Sequence, residues 1–155
     1  MLPAYKKPKY FGAANMRNRN KNWRDDFEKF IDSYRDKPFR YGDSDCCLFI
    51  ADCVKSISET ALDPAADYRG HYDDENSGRD EIMNRHGSIK NALLKAGLIE
   101  IDKNLLMPSD AVICTIGNYE ICGVCVGHNI AFMCESGLKF VPESKVQINT
   151  VMRLF

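Results

Sequence analysis

The sequence predicts one α+β domain, with helices first and an antiparallel sheet after them, preceded by a basic arm. Three observations lead to it. Between residues 22 and 96 apolar residues recur at helical spacing, and beyond residue 110 the pattern becomes short apolar runs divided by turn residues. The third is size, since 155 residues is the ordinary length of a single domain and enough to bury a continuous core. A composition of 45% hydrophobic and 28% charged residues excludes disordered and collagen-like classes, and no internal repeat is present.

The arm comes first. Residues 1–24 carry Lys6, Lys7, Lys9, Arg17, Arg19, Lys21 and Arg24 with no acidic residue, although the whole chain has a net charge of -1. Pro3, Pro8, Gly12 and several Asn deny residues 1–21 a regular period, so they are read as an arm and 22–155 as the domain. Tyr5, Tyr10 and Phe11 among the cations suit docking on an acidic neighbouring protein, or else form a solvated tail. Nucleic acid is an unlikely partner, because the body of the chain is acidic and repels phosphate.

The helices follow. Trp23, Phe27, Phe30, Ile31 and Tyr34 form one stripe of a helix over residues 22–36, and Pro38 ends it. A second helix carries Cys46, Ile50, Cys53 and Ile57, with Asp45 or Ser44 as its cap. Residues 62–78, rich in Asp, Pro and Gly, read as a loop. A further helix spans Ser88 to Ala96, capped by Ser88 and stopped by Gly97.

Ala111–Ile116, Ile121–Val126, Ile130–Cys134 and Leu138–Val141 are then predicted strands. Gly117-Asn118, Gly127-His128-Asn129 and Glu135-Ser136-Gly137 supply the turns of a meander, and a last strand runs Val146–Leu154. Such an order places the helices on one face of the sheet.

No run reaches the ~18 apolar residues of a membrane helix, and no apolar core of a secretory signal opens the chain, so neither a membrane span nor a signal peptide is expected. Seven cysteines, an odd number set in apolar runs, read as reduced thiols. Cys122 and Cys125 lie three apart in a predicted strand and point to opposite faces, which argues against a redox or zinc pair. No metal and no cofactor is expected.

A resemblance can now be stated. The run Tyr41-Gly42-Asp43-Ser44-Asp45-Cys46-Cys47-Leu48-Phe49 resembles the lead-in and the Asp-Cys-Ser-Gly-Leu pattern of NlpC-type peptidases, papain-like enzymes that cut bacterial cell-wall peptides. Cys47 and Leu48 stand where that family has Ser and Gly. Leu106-Met107-Pro108-Ser109-Asp110-Ala111-Val112 resembles its Pro-Gly-Asp segment, with Ser109 for Gly, and Ile121–Gly127 resembles its His-Val-Gly-Ile-Tyr-Leu-Gly strand. The match covers residues 38–141. The runs Asp45–Asp52, Asp63–Ala66 and Arg69–Tyr72 look more closely like a phage- and prophage-associated branch.

The resemblance implies a papain-like NlpC-type domain with Cys46 as nucleophile. It aligns Ile121 with the family's histidine, so another imidazole would have to serve: His71, in the loop after the cysteine helix, is the preferred candidate over His86 and over His128, which lies too far along its strand. Cys47 replaces Cys46 if the helix begins one residue later. Asp52 reads as an exposed or capping group, and Tyr41, Asp43 and Asp45 as residues that order the turn.

Two functions from different classes stay open. The first is a phage or prophage tail protein, structural or for assembly, with a degenerate site and an arm that binds other tail or virion proteins. It would be made in the host cytoplasm and located in the virion tail. The second is a cysteine endopeptidase or amidase of cell-wall peptidoglycan peptides, with Cys46 and His71 as its catalytic pair. A tail-assembly factor absent from the finished particle is a third.

Overall fold

The apolar periodicity folds into two layers. A computed structural model describes residues 18–155 and contains helices α1 (Trp23–Tyr34), α2 (Cys46–Ile57), α3 (Glu75–His86) and α4 (Ile89–Ala96). They are followed by strands β1 (Ile99–Ile101), β2 (Ala111–Ile116), β3 (Tyr119–Cys125), β4 (Asn129–Cys134), β5 (Gly137–Pro142) and β6 (Gln147–Arg153). The strands form one antiparallel sheet in the order β1-β6-β2-β3-β4-β5. The α+β class, the helix stripes and the meander from β2 to β5 agree with the sequence.

The α1 stripe packs as its spacing requires. Phe30 and Tyr34 meet Phe49 of α2 with ring centroids 5.2 and 4.9 Å apart, and these residues join Ala111, Ile113, Cys122, Val124 and Met133 of the sheet in one core. The opposite face of the sheet buries Val112, Cys114, Cys125, Ile130, Phe132 and Val151 without help from any of the four helices. A register shift at Ile113/Cys114 marks a bulge or irregularity in the pairing of β2 with β6. As period two requires, Cys122 and Cys125 belong to different faces.

Two elements depart from the sequence reading. Residues 62–78 are not all loop, because α3 begins at Glu75. This helix has no apolar stripe and is held instead by the Asp74 cap, by Glu75–Arg79 and Glu81–Arg85 pairs at 2.6 and 2.8 Å, and by left-handed Gly87. Strand β1, three residues long and paired to β6, is too short for alternation to reveal.

The boundary of the arm also moves. Residues 1–17 of the predicted arm lie outside the described residues, but 18–21 belong to the body. Arg19 bridges Ser58, its N–H donates to the Phe155 carbonyl at 2.8 Å, and its guanidinium reaches buried Asp110 at 3.4 Å. One cation of the basic run is thus an internal partner rather than a docking charge. Among the described residues no helix is long and apolar enough to cross a membrane.

Candidate functional site

Helix α2 starts where it does because of Asp45. In extended conformation before the helix, its carboxylate accepts the Leu48 N–H at 2.9 Å, the Gly42 N–H at 2.8 Å and the Tyr72 hydroxyl at 2.5 Å, and the residue is 2% exposed. Gly42 has φ +79, and a Cβ there would stand 2.1 Å from the Tyr72 carbonyl oxygen, so the close turn requires glycine. The Gly70 N–H donates to the Gly42 carbonyl at 2.9 Å. The Tyr-Gly-Asp-Ser-Asp run is therefore a clasp that ties the helix start to the 62–74 loop. Burial and the bond to Asp45 push the Tyr72 phenol up from its ordinary value.

Cys46 occupies the first position of α2 and is half-buried. A helix start favours a thiolate, but the neighbours here oppose one. The Cys46 and Cys47 thiols are hydrogen-bonded, with the sulfurs 4.0 Å apart, and that bond together with burial and the Asp45 charge raises Cys46 well above an ordinary thiol. Cys47, packed against the core that holds Cys122, is also raised, by its interaction with Cys122 and by burial. Cys122, fully buried, is lowered by its interaction with Cys47 and raised by burial, with a net rise. All seven cysteines are free thiols.

No imidazole answers Cys46. His71 is exposed, and its ring hydrogen-bonds no described residue. The loop does fold back over the helix start, as a supply of base from there needs, but it does so through Gly70 and Tyr72 on either side of His71. His86 binds the Tyr68 hydroxyl through Nδ1. His128 is exposed in the β3–β4 turn.

The strand residue opposite the helix is not the aligned one. Ile121 packs on the other face of the sheet, away from α2, whereas Cys122 belongs to the core on the helix side. One residue along a strand reverses the face, so the histidine position of the resemblance is met in space by a thiol.

Other expected residues take structural parts. Asp52 is neither an exposed group nor a cap: Tyr34 donates to it, and Arg69, itself paired with Asp63 at 2.8 Å, reaches it at 2.6 Å. Tyr41 donates to Glu135 at 3.3 Å, and burial followed by the charges of Glu135 and Glu75 raises its phenol. Ser109 has φ 75 and a buried hydroxyl without a hydrogen bond among the described residues, a backbone shape suited to glycine. Asp110 is fully buried between Arg19 and Arg153, and also accepts the Met107 N–H at 2.9 Å. Composition showed Arg19 only as one more cation, and no local signal marked it as the partner of Asp110.

A groove of about 970 Å³ between α1 and the β4–β5 region is lined by Trp23, Phe27, Ile31, Met107 and Phe140. A cavity of about 40 Å³ lies beside Cys47, against Leu48, Ala51 and Tyr68. Cys46 lines neither. Among the described residues no group of three or more His, Cys, Asp or Glu side chains is arranged to hold a metal ion.

Fold and site together define an α+β protein whose capped cysteine helix packs on an antiparallel sheet, with no imidazole hydrogen-bonded to its cysteines among the described residues. Its sequence matches, over residues 18–149, the family described as Domain of unknown function (DUF6950), and the chain belongs to that family. It matches no curated protein.

Proposed function

We propose that this chain is a phage or prophage tail-associated structural or assembly protein, on an NlpC-like scaffold that has lost hydrolysis. The carrying observation is the environment of Cys46: its thiol is hydrogen-bonded to Cys47, is pushed up by that bond and by burial, and is hydrogen-bonded by none of the three histidines. Nucleophilic cysteine catalysis needs a thiolate and a base in reach, and this arrangement favours neither. The tail assignment, the virion location and the docking role of the arm rest on the sequence resemblance and on the basic, aromatic residues 1–17.

Iodoacetamide labelling of each cysteine from pH 5 to 10, read by peptide mass spectrometry, tests the loss of hydrolysis. Cys46 is expected to label slowly at neutral pH and to rise only above the ~8.5 of a free thiol. Fast labelling at pH 6, with cleavage of cell-wall peptides, would establish the alternative hydrolase with Cys46 as nucleophile. The observation in its favour is the loop that holds His71 between two anchored residues; in that case His71→Ala abolishes cleavage.

Self-association before and after deleting residues 1–17 tests the arm. The deletion stops there because Arg19 and Asn20 are bonded into the body. Assembly with tail proteins that survives the deletion unchanged removes the arm from the proposal.

A further inference from the structure

Helix α1 faces an open groove along its whole length. Trp23, Phe27, Ile31 and Arg35, the last just past the end of the helix, recur at four-residue spacing, and all of them line the groove of about 970 Å³ beside β4 and β5. Phe27 and Ile31 form the buried floor. The Arg35 guanidinium lies 5.3 Å from the Phe140 ring, which is 40% exposed, so Phe140 marks one end of the groove and Trp23 the other.

The chain itself leads into this groove. Arg19 holds its guanidinium 4.2 Å from the Trp23 ring and reaches Met107 Sδ at 4.0 Å, and both of these partners line the groove. Residues before Arg19 therefore set out from its Trp23 end. The distance from there to Arg35 is about 18 Å at ~1.5 Å per helical residue, which an extended chain at ~3.3 Å per residue spans in about six residues. Counting back six from Arg17 gives Phe11, with Tyr10 beside it. Charge agrees with this fit: residues 1–17 carry Lys6, Lys7, Lys9 and Arg17 and no acidic residue, while exposed Glu28 on the rim makes no ion pair among the described residues.

We propose that residues 10–16 dock in the groove of their own chain, with the Tyr10 and Phe11 rings toward Phe140 and Met16 beside Trp23. A segment tethered this close acts at an effective concentration on the order of millimolar, which favours it over the arm of a second copy at ordinary protein concentration. Lys6, Lys7 and Lys9 then leave the far end of the groove with their charges in water. The inference stands on the groove and on the chain that leads into it, independently of the tail reading. An arm held in this way must leave the groove before it docks on any neighbour.

Trp23 is the only tryptophan of the chain, so its fluorescence reports on this groove alone. Deleting residues 1–17 is expected to shift its emission to the red and at least to double its quenching by acrylamide. The pair Tyr10→Ser with Phe11→Ser, which alters nothing in the described body, is expected to do the same. A synthetic peptide of residues 5–17 restores the emission of the deleted chain, and the same peptide with both aromatics replaced by serine does not. Quenching of the full chain stays constant over a hundredfold range of protein concentration, as a contact within one chain requires. Quenching that falls as concentration rises puts a second copy's arm in the groove and overturns the proposal, as does quenching that neither the deletion nor the serine pair changes. Circular dichroism confirms that each variant is folded, and the serine pair decides by itself if the deleted chain is not.

Discussion

Asp45 and Ser109 show how single residues of a recognisable pattern serve the fold. Asp45 carries one cap and two further bonds, so Asp45→Ala removes the cap and leaves the Tyr72 hydroxyl and the Gly42 N–H buried without it. A lost cap costs about 1 kcal/mol and each of the two orphaned buried donors about 1–3, which gives an expected loss of about 3–7 kcal/mol in urea unfolding. Ser109 runs the other way. With φ 75 and an unpartnered buried hydroxyl, it is strained where glycine is not, and Ser109→Gly is expected to stabilise the protein by about 1 kcal/mol in the same measurement. The sequence displayed both residues within a motif. It did not display Tyr72, whose bond to Asp45 spans 27 positions.

Among elements, periodicity was informative wherever one face meets a core and silent where it does not. The α1 stripe and the α2 start were legible because burial imposes spacing. Helix α3 was not, because charge pairs and caps hold it without an apolar face. The β3–β4 pair depends on a contact that sequence leaves hidden. Only Val124↔Ala131 and Cys125↔Ile130 pair, and a Cβ on Gly123 would come within 2.7 Å of the Ala131 carbonyl oxygen. Backbone cannot yield as a flexible side chain does. Gly123→Ala is therefore expected to cost about 1–3 kcal/mol and to loosen β4, seen as faster amide exchange at Ala131.

At the scale of the whole molecule, Asp110 gathers both ends of the described chain through Arg19 and Arg153. The buried thiols set its response to alkali. Cys46, Cys47, Cys53 and Cys122 are raised in the folded state, as are Cys114 and Cys125, each to about 11, and the phenols of Tyr34 and Tyr72. Groups raised by folding contribute stability that is complete below their unfolded values and is lost as pH climbs toward the folded ones. Unfolded thiols ionise near ~8.5, so stability is expected to hold to about pH 8 and then fall. Each such thiol contributes a slope of up to ~1.4 kcal/mol per pH unit, and the total loss between pH 8 and 10 is expected to exceed about 3 kcal/mol in urea titrations under reductant.

Sequence by itself determined the class of the fold, the places of three helices and five strands, and a cap at Asp45 or Ser44, since each follows from periods and turn chemistry within about a dozen residues. Tertiary structure decided the rest. It alone placed Arg19 in the body, turned Tyr72 rather than His71 onto the helix start, and set Cys122 instead of Ile121 opposite the cysteines. The physical reason is common to all three: which side chain faces a site depends on strand parity and on loop return across tens of residues, and neither leaves a local pattern in the chain.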